Sequence, residues 1–124
     1  MKDILVPISP GELLDKITIL RIKAARITDV QKLVNVRTEL DALEHTWRES
    51  GATAGPTAAA VAQDEAALQA VNEKLWVVED DLRDLERAQR FDARFIELAR
   101  AVYFTNDERA AIKKRINLAL GSRL

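Results

Sequence analysis

The chain has 124 residues, with 19 Lys and Arg against 20 Asp and Glu, a formal net charge of -1 and no cysteine. This length suits one domain, 1–124, that buries its own core without a disulfide or metal staple. The near-neutral balance argues against a surface for phosphate backbones or anionic lipid, and the missing cysteines exclude disulfides, thiolate metal sites and cysteine nucleophiles.

Residues 1–8 read as an extended arm: Asp3 and Pro7 bracket the short apolar run Ile4-Leu5-Val6, unlike a secretory signal. No window reaches the length of a membrane span. A cytoplasmic protein without nucleic-acid or membrane partners is expected. Ser9-Pro10-Gly11-Glu12 opens the first helix, with Ser9 as N-cap, Pro10 where its missing N–H costs nothing, and Glu12 completing a capping box. Leu13, Ile17, Leu20, Ala24 and Ile27 then recur at spacings of 4 and 3, and Ile19 and Ile22 widen that seam, which predicts a central helix.

The seam breaks at Thr28-Asp29, both good caps, and resumes as Leu33, Val36, Leu40, Leu43 and Trp47 in a second helix over 30–49. Small residues, two glycines and Pro56 make 50–56 a loop. A third and longest helix is predicted over 57–90, on the seam Val61, Leu68, Val71, Leu75, Val78, Leu82 and Leu85. At ~1.5 Å per residue it would extend roughly 50 Å, longer than a compact domain of this size is wide, so a returning helix or a second copy must cover its overhang. Asp92 caps a fourth helix, with Phe91 placed to staple onto Ile96. Thr105-Asn106-Asp107-Glu108 forms another capping box and predicts a separate fifth helix that stops at Gly121. The fold expected is therefore all-α, a bundle of four to five amphipathic helices with coiled-coil-like packing around the long one.

The densest chemical signal is Leu75-Trp76-Val77-Val78 followed by Glu79-Asp80-Asp81. Four apolar residues cover every side of one helical turn, so the acids beside Trp76 are expected to pair with a base from another helix, with Lys16, Arg94 and Arg109 as candidates. Pairs along the same helix, Glu79 with Arg83, Asp84 with Arg87 and Glu86 with Arg90, would account for most of the charge more simply. Asp80-Asp81-x-x-Asp84 weakly resembles the helical aspartate motif of prenyl synthases, whose carboxylates hold magnesium and a diphosphate. Asp41-x-x-Glu44 with Asp81-x-x-Asp84 loosely resembles the paired acidic helices of all-α nucleotide pyrophosphohydrolases, and Leu14-Asp15-Lys16-Ile17 resembles the first long helix of chorismate mutase, where Lys16, Arg21 and Arg26 would meet a dicarboxylate. His45 is the single histidine, so neither a two-histidine metal site nor a histidine relay exists. No metal or cofactor is expected.

Over whole segments, Ser9 to Leu20, Asn72 to Asp80 and Phe91 to Asn117 resemble a family of short bacterial proteins catalogued as a domain of unknown function. Members usually continue into an acidic, aromatic C-terminal tail that is not found here. The resemblance directs attention to Lys16, Asn72, Trp76, Glu79, Asp80, Asn106, Asp107, Arg109 and Asn117, with Lys16, Asn72, Trp76, Glu79, Asp80, Asn106 and Arg109 as candidate ligand-binding residues. Regular apolar seams outnumber convergent catalytic groups, which favours a helical interaction or scaffold protein that self-associates as a homodimer, with an unidentified protein as a possible further partner. The alternative is a small all-α enzyme or metabolite binder centred on Trp76, Glu79 and Asp80. Trp47 and Trp76 are expected closest to a dimer interface, where aromatics are enriched.

Overall fold

The computed structural model describes residues 1–124 and contains four helices and no strand: α1 (Pro10–Arg26), α2 (Val30–Glu49), α3 (Ala58–Arg87) and α4 (Ala93–Ala119). Local chemistry sets most of the boundaries. The Ser9 hydroxyl accepts from the Glu12 N–H at 3.1 Å, Asp29 accepts from the Lys32 N–H at 2.9 Å, and Asp92 accepts from the Arg94 N–H at 3.2 Å. After α3 the chain reverses through Gln89, whose φ of 54 lies in the left-handed region, and the Arg90 N–H closes the turn onto the Leu85 carbonyl at 2.9 Å. Glycine usually occupies that position. Here the Gln89 side chain donates to the Glu86 carbonyl at 2.9 Å and holds the turn.

α3 and α4 form a full-length antiparallel hairpin, and α1 lies across it, touching both helices. The α2 backbone approaches α1 alone, and α2 meets the core through Leu40, Leu43 and, near its end, Trp47. The core unites Leu13, Leu14 and Ile17 of α1 with Val61, Leu68, Val71 and Leu75 of α3 and Ile112 and Ile116 of α4.

Three expectations are corrected. Helices four and five are one: α4 runs unbroken through Thr105-Asn106-Asp107-Glu108. Leu98, Thr105, Ile112 and Ile116 are all buried and lie on one continuous stripe, so the apolar register never shifts and the capping residues have no helix end to cap. Phe91 packs edge-on against Phe95, with ring centroids 5.2 Å apart, rather than stapling onto exposed Ile96. Trp47, expected near an interface, is only 6% exposed and sits in the core with Leu13, Ala52 and Val61.

The approach of α1 to α4 is close enough to demand glycine. The Gly11 N–H donates to Asn117 Oδ1 at 2.7 Å, and a Cβ at Gly11 would stand 2.6 Å from the Lys113 carbonyl oxygen and 2.9 Å from Asn117 Oδ1. Because one of those atoms belongs to helical backbone, it cannot swing aside. Gly11→Ala is expected to lower stability by about 2 kcal/mol, the scale of overpacking a tight contact, read as a reduced urea midpoint by circular dichroism.

Candidate functional site

Glu12 and Asp15 follow Gly11 within its first turns and therefore face α4 with it. Asp15 is 1% exposed, which would be prohibitive for an unpaired carboxylate. Its Oδ1 accepts from Arg109 Nε at 2.8 Å and from Asn72 Nδ2 at 3.0 Å, and its Oδ2 accepts from Arg109 Nη2. Lys113 Nζ stands 3.7 Å from the same oxygen and donates to Glu12 Oε2 at 2.6 Å. The buried Thr18 hydroxyl donates to the Asp15 carbonyl at 2.9 Å and accepts from Asn72 Nδ2 at 2.9 Å. Two carboxylates of α1 thus meet two cations of α4, with one amide of α3 completing the set.

Burial pushes the Asp15 carboxyl up, but the hydrogen bonds from Arg109 and Asn72 and the charges of Arg109 and Lys113 together hold it below the usual carboxylate range. The same contact, against the opposing effect of burial, raises Arg109 above its ordinary value.

A cleft of about 360 Å³ opens beside this cluster, between the C-terminal half of α1 and the middle of α3. Lys23, Trp76, Glu79, Arg83 and Arg109 supply its polar and aromatic lining, with Ile19 and Ile22 at its apolar wall. Trp76 is half-buried, and the Arg26 guanidinium lies 6.0 Å from its ring centroid, a cation–π contact. Around the corner, Asn106, Arg109 and Lys113 border a shallower depression on α4, where Arg109 Nη1 reaches Asn106 Oδ1 at 3.5 Å.

The candidate residues therefore divide. Asn72, Trp76, Glu79 and Arg109 line one cleft, and Asn106 lies next to it. Lys16 is exposed and stands 4.0 Å from Glu12. Asn117 anchors Gly11, and Asp107 lies on the outer side of α4, exposed. The expected pairing of Glu79 or Asp80 with a base from another helix does not form. Asp80 is exposed and meets Arg83 of its own helix at 3.3 Å, Glu79 is exposed without an ion pair, and Arg94 pairs with Glu97. Arg109 is instead taken by Asp15, a deeper and more demanding carboxylate. Of the simpler ladder, Asp84 with Arg87 forms, while Arg90 turns to Asp92.

The enzyme-like motifs are not assembled. α2 does not pack on α3, so Asp41 and Glu44 never face Asp81 and Asp84, and Glu44 is held by Arg21 at 3.1 Å. No group of three acidic or histidine side chains converges to a metal-sized site. Arg21 points to Glu44 and Glu65, Arg26 to Trp76 and Lys16 to Glu12, so they do not form one dicarboxylate pocket. Asp15, Thr18 and Lys113 were missed as site residues. Leu13, Leu14 and Ile17 surround Asp15 on the helix, so a charge there had to be enclosed, and that pattern was visible before the structure. No helix is long and apolar enough to cross a membrane. Set beside family models, curated proteins and solved structures, the chain matches none.

Asp15→Asn keeps the shape of the side chain but leaves Arg109 without its counter-charge. A loss of about 3 kcal/mol is expected, the low end for breaking a buried pair because Arg109 retains some contact with water. The pH dependence has a definite sign. A carboxyl depressed in the folded state contributes stability that is full above its unfolded value near ~3.9 and is lost as pH falls through the folded value. Urea midpoints of the native chain should therefore drop on acidification below about pH 4, and the drop should be shallower in Asp15→Asn.

Proposed function

We propose that this chain is a helical interaction protein that self-associates in the cytoplasm. One observation supports the reading most strongly. α3 at ~1.5 Å per residue extends about 45 Å and α4 about 40 Å, while α1 has 17 residues and covers only part of their length. The rest of the hairpin is two helices thick, and two helices cannot enclose broad apolar faces. Val77, Phe91, Ile96, Tyr103 and Phe104, on faces that α1 leaves uncovered, are about half exposed. Solvent-facing aromatics such as the Tyr103–Phe104 pair are enriched at contact surfaces of folded proteins. Light scattering at rising micromolar concentration should give a mass that climbs from the 13.9 kDa of one chain toward twice that value, whereas a constant single-chain mass would overturn the reading.

The cleft beside Trp76 supports a second reading, a binder of small anionic metabolites. Arg109 is held by Asp15 and Arg83 by Asp80, which leaves Lys23 as the lining cation without an ion pair, and Trp76 offers a flat apolar wall. Trp47→Phe leaves Trp76 as the sole tryptophan reporter. Saturable change of its fluorescence on titration with pyrophosphate or malonate, at least ~10-fold weaker in Lys23→Ala, is the expected result. A linear response that Lys23→Ala does not alter would dismiss the cleft as a binding site.

A further inference from the structure

We infer that the outward face of α4 is a self-association surface on which two copies pair antiparallel, about a two-fold axis passing between Tyr103 and Phe104. This rests on the self-association proposed above and names where it occurs.

Ile96, Arg100, Tyr103, Asp107, Ala111 and Lys114 follow one another at helical spacings of 4, 3, 4, 4 and 3, so they form a single stripe. Phe104 flanks its centre. The stripe lies opposite the buried one of Leu98, Thr105, Ile112 and Ile116. Ile96 is 58% exposed, Tyr103 51% and Phe104 53%. Their arrangement is ordered. Arg100 Nε donates to the Tyr103 hydroxyl at 3.2 Å, and its guanidinium carbon is 5.6 Å from the centroid of the Phe104 ring, so the arginine is tied to both aromatics.

Charge selects the partner and the orientation. Asp107 is exposed and forms no ion pair within the chain, since its neighbours one turn away are Tyr103, Phe104, Ala110 and Ala111. Arg100 is two helical turns from it, roughly 10 Å, which is beyond contact. In an antiparallel pair of α4 helices centred between Tyr103 and Phe104, Arg100 faces the partner's Asp107, and the reciprocal pair forms by symmetry. Ile96 falls opposite the partner's Ala111, a large side chain against a small one. A parallel pair would set arginine beside arginine and aspartate beside aspartate. The face is therefore complementary to itself in one direction only, as an isologous two-fold contact requires.

Area sets the expected strength. Six half-exposed large side chains, three from each copy, would each lose on the order of 100 Å² of surface, about 600 Å² together, so the stems of Arg100 and Lys114 and the Ala111 face must add to them before the total approaches the ~1,000 Å² of the smallest specific interfaces. Association is therefore expected to be weak, and tighter at low salt because two exposed ion pairs flank the centre.

The test exploits the symmetry of the charges. Sedimentation equilibrium of the full chain should show a dimer, and Arg100→Asp and Asp107→Arg, each confirmed as helical by circular dichroism, should each dissociate at least ~10-fold more readily because every cross-interface pair becomes a like-charge pair. An equimolar mixture of the two variants should dimerise again, since each aspartate then meets an arginine. A dimer that persists unchanged in both single variants would overturn this face while leaving self-association intact. Monomeric variants whose mixture stays monomeric would overturn the pairing and leave the stripe to a different protein. A native chain that is monomeric throughout would overturn both self-association and its proposed location.

Discussion

The Asp15 carboxylate is the point on which three helices agree. It belongs to α1, its amide donor Asn72 belongs to α3, and its cations Arg109 and Lys113 belong to α4. Apolar side chains tolerate sliding by a fraction of a turn, since one leucine replaces another at modest cost. A buried carboxylate with fixed donors does not. The polar junction therefore sets the axial register of α1 on the hairpin, and Leu14 and Ile17, both fully buried beside it, pack in the register so chosen.

That junction also governs what the neighbouring surface can do. Because Arg109 spends its guanidinium on Asp15, Glu79 is left facing the cleft without an ion pair, and Asp80 is left to Arg83 on its own helix. The acids that looked most chemical thus lie at the edge of an ion-pair network that is completed elsewhere. The cleft keeps Lys23 as a cation outside any ion pair, while the far side of α4 keeps Asp107 unpaired.

The helical class and the starts of α1 and α2 were legible from Ser9, Asp29 and the apolar spacing, because caps act through hydrogen bonds within four residues. The turn at Gln89 was less so, as it uses glutamine where glycine is the recognisable signal. The false break at Thr105 has the same origin. A capping box records what residues could do at a helix end, and only the unbroken stripe through Leu98, Thr105 and Ile112 decides that no end exists. Arg109 and Asn72, read from the sequence as candidate ligand-binding residues, both hydrogen-bond Asp15, a partner that the sequence does not single out. Attention fell on the conspicuous run of acids after Trp76, while Asp15, one charge among leucines, carried the stronger constraint. Long-range pairing of that kind depends on how α1 crosses the hairpin, which local pattern does not encode.

The one-sided attachment of α2 has a dynamic consequence. The α2 backbone approaches α1 alone, Trp47 is its one buried residue, and the loop that follows turns through left-handed Gly51 and Gly55. Opening α2 would therefore expose far less apolar surface than separating α3 from α4. The free energy of a local opening rises with the apolar surface it brings into water, so the molecule is graded rather than uniform in its cooperativity. The amides of α2 belong to the fast-exchanging end of that gradient and those around Asn72 and Ile116 to the slow end.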